Sequence, residues 1–198
     1  MMRLIVASNN INKINEIKDI LKKLPVEILS MKDAGIGLEI EENGATFIEN
    51  ALIKAKAIHE LIPDAMVLSD DSGLSVDVLG GAPGIYSARF SGEHGNDKKN
   101  NEKLLTMLKG EINRSARFIC AMVLITEKGE EIKVQGEIKG TISEEETGTN
   151  GFGYDPIFYL EEYNRTFAEV ESEIKNKISH RAKALAKIQH EITEIIRG

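Results

Sequence analysis

The chain opens Arg3-Leu4-Ile5-Val6-Ala7, then Ser8-Asn9-Asn10-Ile11-Asn12, then a run from Lys13 to Leu24. The opening stretch is apolar and ends in polar residues, the mark of a buried strand. In the run, Ile14, Ile17, Leu21 and Leu24 recur at spacings of three and four, and Pro25 ends it, which predicts a helix. Val26 to Ser30 reads as a second short strand. Strand, polar break, helix and strand together suggest an α/β unit.

The rest of the chain extends that pattern. Thr46 is placed to cap a helix running to about Leu61, with Glu49 three residues on completing a capping box. Met66-Val67-Leu68 is a short apolar run meeting the turn-like Ser69-Asp70-Asp71-Ser72-Gly73. Leu74 to Leu79 reads as a strand, and Gly80-Gly81-Ala82-Pro83-Gly84 as a second turn. Asn96 to Leu108 predicts a third helix. Arg117 to Thr126 and Glu131 to Ile142 predict paired strands joined as a hairpin. Gly148 to Gly153 is a glycine-rich loop, and Ser179 to Ile196 a closing amphipathic helix. With no repeat, linker or low-complexity tract, the expectation is one α/β domain over residues 1–198, with a mixed sheet flanked by helices.

Composition narrows the function. The chain has 198 residues, 41% hydrophobic and 29% charged, which suits a globular protein. A net charge of −7 argues against a nucleic-acid binder, which would present a basic surface. No apolar run approaches the ~20 residues of a membrane span. The apolar run after Arg3 is too brief for a secretory signal, so a cytoplasmic location is expected. The single cysteine, Cys120, lies in a strand-like run and reads as a packing residue, and one cysteine cannot form an intrachain disulfide.

Several clusters carry candidate chemistry. Asp70-Asp71 is a pair of acids beside apolar residues, where a carboxylate costs solvation unless a cation offsets it. A solvated turn accounts for the pair equally well. Ser8 to Lys13 falls between a strand and a helix N-terminus, where unpaired N–H groups favour an anion and Lys13 adds a full charge. It lacks the glycines of a Walker loop, and a plain helix cap is the alternative. Glu41-Glu42, with Lys54 on the following helix, reads either as a solvated face or, with Asp70-Asp71, as hard oxygen ligands for Mg²⁺. Phe152, Gly153, Tyr154 and Asp155 let an aromatic ring and a carboxylate approach a flat ligand, or else plug the core. Lys175 precedes Ser179-His180-Arg181. His180 and Arg181 would stand in the first turn of the last helix, a poor place for cations unless an acceptor faces them.

The order of these blocks is more specific than any one of them. Ser8-Asn9-Asn10 with Lys13; Glu42, Gly44, Thr46-Phe47 and Glu49-Asn50-Ala51; Ser69 to Leu74; Gly80 to Arg89; Gly151 to Pro156; and Ser179-His180-Arg181 together resemble the inosine triphosphate pyrophosphatase family. The resemblance runs from Ala7 to the final helix. It implies two α/β lobes around a long mixed sheet with the active site in a cleft between them. It further implies Mg²⁺-dependent hydrolysis of ITP, dITP and XTP to the monophosphate and pyrophosphate, by a homodimer. By position, Ser8, Asn9, Asn10, Ile11, Asn12 and Lys13 would hold the triphosphate, aided by Lys54. Glu41 and Asp71 would take the metal, with Asp70 a secondary contact, and Asp71 would accept the proton. Ser72, Phe152, Gly153, Tyr154, Asp155, Lys175, His180 and Arg181 would contact the rest of the substrate. Arg181 donating to purine O6 would reject ATP, which carries a 6-amino donor there. Two other readings remain at this stage: a pyrophosphatase for other modified nucleoside triphosphates, and a nucleotide sensor without turnover.

Overall fold

The computed structural model describes residues 2–198. The elements, in chain order, are β1 (Arg3–Val6), α1 (Ile11–Leu21), β2 (Glu27–Ser30), α2 (Phe47–Leu61), β3 (Met66–Val76), α3 (Asp97–Met107), β4 (Ser115–Ile125), β5 (Glu131–Ile142), β6 (Phe158–Leu160), β7 (Arg165–Thr166), α4 (Ser172–Ile178) and α5 (His180–Arg197). The strands form one seven-stranded sheet in the order β2-β1-β3-β4-β5-β6-β7. β1 runs parallel to both β2 and β3, with Leu4 opposite Ile28 and Met66. β6 runs antiparallel to β5 and β7. The sheet is therefore mixed, as the sequence predicts.

The chain divides into two units. One holds the residues up to Asp71, then Cys120–Gly136 and Arg181–Gly198; the other holds Ser72–Ile119 and Glu137–His180. In the first unit, side chains alternate across the sheet because successive Cβ atoms in a strand point to opposite faces. Leu4, Val6, Met66 and Leu68 meet Ile14, Ile17 and Leu21 of α1 and Leu185, Ile188 and Ile192 of α5. Ile5, Val67 and Val123 meet Ala51, Ala55 and Ile58 of α2. Each buried Leu, Ile or Val contributes about 1.5–3 kcal/mol relative to exposure. The small Ala51 and Ala55 let α2 lie close to the strands. The second unit has its own core, built on Leu74, Val76, Phe118, Phe158, Phe167, Leu104 and Leu108. Within it, Phe118 lies 4.5 Å from Phe158, and Phe158 stacks on Phe167 at 5.4 Å.

Local differences from the sequence reading have physical causes. α1 begins at Ile11, two residues before the expected Lys13, because Asn10 caps it and accepts from the Asn12 and Lys13 N–H groups. Thr46 caps α2 as predicted, accepting from Glu49 N–H at 3.2 Å. The Glu49 carboxylate reaches past the cap to the Ala45 N–H at 2.7 Å. A short helix, α4, precedes the closing one and was not foreseen; its charged sequence shows little apolar period.

The largest difference concerns Asp70-Asp71, which do not form a turn. β3 runs unbroken from Met66 to Val76, and Met66 through Asp71 are all buried. β3 is an inner strand with β1 and β4 on either side, so its backbone groups are satisfied by the sheet rather than by a turn. Polar sequence gave way to tertiary position, and the carboxylates are compensated by cations instead.

Candidate active site

Strand alternation gives the adjacent acids of the first unit different surroundings. Asp70 shares the parity of Leu68, whose face packs on α1 and α5; Asp71 shares that of Val67 and Ser69, whose face packs on α2. Ser69 marks this second face by donating to the Ala51 carbonyl of α2 at 2.5 Å.

On the α1 and α5 face, Lys13 Nζ lies 3.0 Å from Asp70 Oδ2, and Arg181 Nη2 lies 3.6 Å from the same oxygen. Arg181 also donates to Glu16 of α1. Arg181 is 1% exposed and Asp70 likewise. Burial would raise the Asp70 pKa, but Lys13, Arg181 and Lys54 outweigh it and hold the carboxyl well below the usual carboxylate range. Burial likewise pulls the Arg181 pKa down, while Glu16 and Asp70 more than offset this and lift it above the ordinary value. Cys120 shares this neighbourhood, and burial followed by the charge of Asp70 pushes its thiol up to about 12. It is an inert packing residue at neutral pH.

On the α2 face, Asn50 Nδ2 donates to Asp71 Oδ2 at 3.0 Å. The carbonyl end of the same amide accepts from the Gly44 N–H at 2.8 Å, tying the acidic loop to Asp71. Lys54 Nζ pairs with Glu42 at 2.8 Å. Burial raises the Asp71 pKa; Lys54, Lys13 and the Asn50 hydrogen bond pull against it, Glu42 adds to it, and the net shift is upward. Two neighbouring carboxyls thus differ in direction, one held ionised and one made more basic.

Ser8 to Lys13 forms the link from β1 into α1. Ser8 Oγ accepts from the Asn10 N–H at 3.2 Å, and Asn9, Asn10, Ile11 and Asn12 are exposed. The first turn of α1 therefore presents polar groups to solvent beside the partly buried ammonium of Lys13.

The second unit holds a different set. Lys175 Nζ pairs with Asp155 Oδ2 at 2.6 Å, both side chains being almost fully buried. Asp155 Oδ2 also accepts from the Phe152 N–H at 2.9 Å. The Lys175 ammonium lies 4.7 Å from the centre of the Phe152 ring, a cation–π distance. Gly151 is required beside them: it has a φ of +76°, and a Cβ there would collide with the Asp155 carboxylate. Tyr154 donates its hydroxyl to the Ser87 carbonyl at 2.8 Å, so it is an anchor rather than an exposed contact. The His180 ring stacks on Phe118 at 4.7 Å with 12° between planes. Ser72 follows Asp71 on β3 and is half-buried.

The structure therefore brings Lys13, Lys54, Asp70, Asp71 and Arg181 together in the first unit, and Phe152, Gly153, Asp155 and Lys175 in the second. Of the lysines of α4, Lys175 is buried and Lys177 exposed. His180 and Arg181, neighbours in sequence, fall in different units. Glu42 is the acid that reaches Lys54 and influences Asp71, whereas Glu41 is exposed. Two residues escaped sequence reasoning. Asn50 lay inside a quoted block, and its fixed place four residues before Lys54 on α2 was the available signal. Glu16 stands three residues after Lys13, the spacing of one helix face.

Comparison with known proteins agrees with this architecture. The structure of the Staphylococcus aureus Ham1 protein superposes with a TM-score of 0.87 at 38% identity, covering 97% of this chain and 98% of that one. A Mycobacterium abscessus nucleoside-triphosphatase, dITP/XTP pyrophosphatase, gives 0.77 at 43% identity, covering 94% and 98%. The fold is thus that of the Ham1 proteins. The Ham1 family model matches residues 4–191, and the chain belongs to that family. The dITP/XTP pyrophosphatase of Clostridium tetani is 56% identical, over 99% of this chain and 98% of its own. That of Bacillus subtilis is 48% identical, over 95% and 96%. The resemblance read from the ordered blocks is therefore the correct one.

Proposed function

We propose that the protein hydrolyses non-standard purine nucleoside triphosphates, ITP, dITP and XTP, to the nucleoside monophosphate and pyrophosphate. The observation that carries this reading is Asp71: a buried carboxylate with a raised pKa, oriented by Asn50 and set beside Lys54 and Glu42. A carboxylate made more basic suits a general base.

In this reading Ser8 to Lys13 and Lys54 bind the triphosphate, whose negative charge matches the exposed N-terminal turn of α1 and the two ammonium groups. Asp71 orients a water and takes its proton as the oxygen attacks the α-phosphorus. The bond from that phosphorus to the bridging oxygen breaks, and pyrophosphate leaves with the bonding pair. Asp70, held ionised, fixes Lys13 and Arg181.

Mg²⁺ fits the donor set. Among the described residues no group of three or more His, Cys, Asp or Glu converges on one point. Mg²⁺ commonly takes one or two carboxylates plus substrate phosphates, and Glu41 and Asp71 would be the hard oxygens that hold it, with Asp70 a secondary contact; Glu42, paired with Lys54, stands beside them. Bound there, the ion would supply charge neutralisation and polarise a phosphoryl oxygen.

For the base, Phe152 offers a stacking surface and the Lys175–Asp155 pair offers a donor beside an acceptor. Hypoxanthine and xanthine present a 6-oxo acceptor and an N1–H donor. Adenine presents a 6-amino donor and an N1 acceptor, the reverse of both. A site built on such pairing rejects the mismatched base by orders of magnitude. Arg181, committed to Glu16 and Asp70, is assigned to the phosphate-side network rather than to O6; Ser72 and His180 complete the substrate contacts.

A homodimer belongs to the same reading, and the exposed Tyr86, Met107 and Ile112 of the second unit would be candidate contacts for it. Among the described residues no helix is long and apolar enough to cross a membrane. An enzyme acting on the free nucleotide pool would work in the cytoplasm.

The test is product analysis with ITP, dITP, XTP, GTP and ATP, with and without Mg²⁺. Pyrophosphate from ITP, dITP or XTP but not ATP, dependent on Mg²⁺, is expected. Orthophosphate as the first product, or binding without turnover, would refute the assignment.

A further inference from the structure

Every residue from Phe152 to Asp155 is tied down inside the second unit, and the tie at Gly153 comes from a distant helix. Asp97 Oδ2 accepts from the Gly153 N–H at 2.8 Å. Asn101 Nδ2 donates to the Gly153 carbonyl at 3.2 Å. Asp97 and Asn101 stand four residues apart on α3, so both project from one helix face. Together they grip both backbone polar groups of one residue. Gly153 has a φ of +63° and no side chain with which to anchor itself, so its hold must come from outside.

Asn101 is an unusual choice for packing alone. It is 2% exposed, and its Oδ1 has no hydrogen-bond partner. A buried carbonyl oxygen left unpaired costs stability, and a leucine would fill the same space without that cost. The amide is explained by what its other end holds.

We propose that Asp97 and Asn101 are positioning residues for base binding: they clamp Gly153 and thereby fix the ring of Phe152 next to the Lys175–Asp155 pair. This rests on the reading of Phe152 as the base platform. The clamp touches no reacting atom, so its loss weakens binding of the base and leaves the chemical step alone. Asp97→Ala removes the acceptor. Asn101→Asp keeps the shape but sets a carboxylate against the Gly153 carbonyl. Asp97→Asn retains an oxygen that can accept from the Gly153 N–H.

The experiment compares these variants for ITP turnover with Mg²⁺, for inhibition by inorganic tripolyphosphate, and for hydrogen exchange in peptides covering residues 151–155. Asp97→Ala and Asn101→Asp should each raise KM for ITP about tenfold, the scale of one lost charge-assisted or repelled hydrogen bond. kcat should stay within about threefold, tripolyphosphate inhibition should be unchanged, and exchange at 151–155 should speed up. Asp97→Asn should restore KM. Unchanged KM in both disruptive variants overturns the clamp, as does a parallel loss of tripolyphosphate affinity, which would signal general loosening. If the wild type neither binds nor cleaves ITP, the functional reading fails and the base-binding role with it. Exchange that stays unchanged while wild-type ITP cleavage is normal overturns the clamp alone.

Discussion

Replacing Arg181 with methionine tests whether its guanidinium is an internal ion-pair partner. Methionine keeps an unbranched chain of similar reach and removes the charge. It takes from Asp70, whose side chain is 0% exposed, one of the cations that hold it, and takes from Glu16, 15% exposed, its ion pair with Arg181. At 3.6 Å and an effective dielectric of about 20, the Arg181–Asp70 attraction alone is about 4–5 kcal/mol. Removing one member of a buried pair typically costs ~3–5 kcal/mol, because the other charge stays buried. Lys13 still faces Asp70 and water reaches Glu16, so the lower end, about 3 kcal/mol, is expected. For a chain of this size that corresponds to a Tm roughly 6–12 °C lower. Thermal unfolding followed by circular dichroism at neutral pH measures it. Adding Glu16→Gln to Arg181→Met should recover about 1–2 kcal/mol, since the second change removes one of the two carboxylates that Arg181 had faced. An Arg181→Met variant melting within about 2 °C of the wild type would refute the reasoning, and would return the guanidinium to solvent and to ligand.

Asp71→Asn should lower kcat by at least about a hundredfold, the usual weight of a positioned base, while a fluorescent or calorimetric assay finds triphosphate binding retained; near-wild-type turnover would remove Asp71 from the mechanism. Glu131 offers a pH test. It pairs with Lys133 and Lys56, each at 2.8 Å, and their hydrogen bonds hold its pKa at about 2 against an ordinary 4.5. Because the folded value is the lower one, its stabilising effect is present above the unfolded pKa and fades as pH falls toward 2. The Tm difference between wild type and Glu131→Gln should therefore be largest near neutrality and close between pH 5 and 2.5; a gap that widens in acid would contradict the assignment.

Much of the fold was legible because apolar period survives in the sequence. Ile14, Ile17 and Leu21 point to one buried face of α1, and those residues are buried in the core. The paired acids were legible as chemistry but not as geometry. Asp, Ser and Gly favour turns, and nothing local tells a solvated turn from an inner strand whose charges are met by lysine and arginine from remote elements. The compensation of Asp70 depends on Arg181, more than a hundred residues away, and that pairing has no local signature. The pairing of Lys54 with Glu42 rather than Glu41 was likewise invisible, since adjacent acids in a loop look alike in sequence.

The different surroundings of Asp70 and Asp71 follow from the pleat rather than from their chemistry. Identical side chains one residue apart on β3 must point to opposite faces. One face brings α1 and α5 with Lys13, Glu16 and Arg181; the other brings α2 with Asn50 and Lys54. The first surroundings hold the carboxyl well below the usual carboxylate range, and the second raise its pKa. A single-residue shift of β3 in register would turn each acid to the opposite face of the sheet, away from the groups it now meets. The register of β3, with Leu4 opposite Met66 and Val6 opposite Leu68, is thus what gives each acid its surroundings.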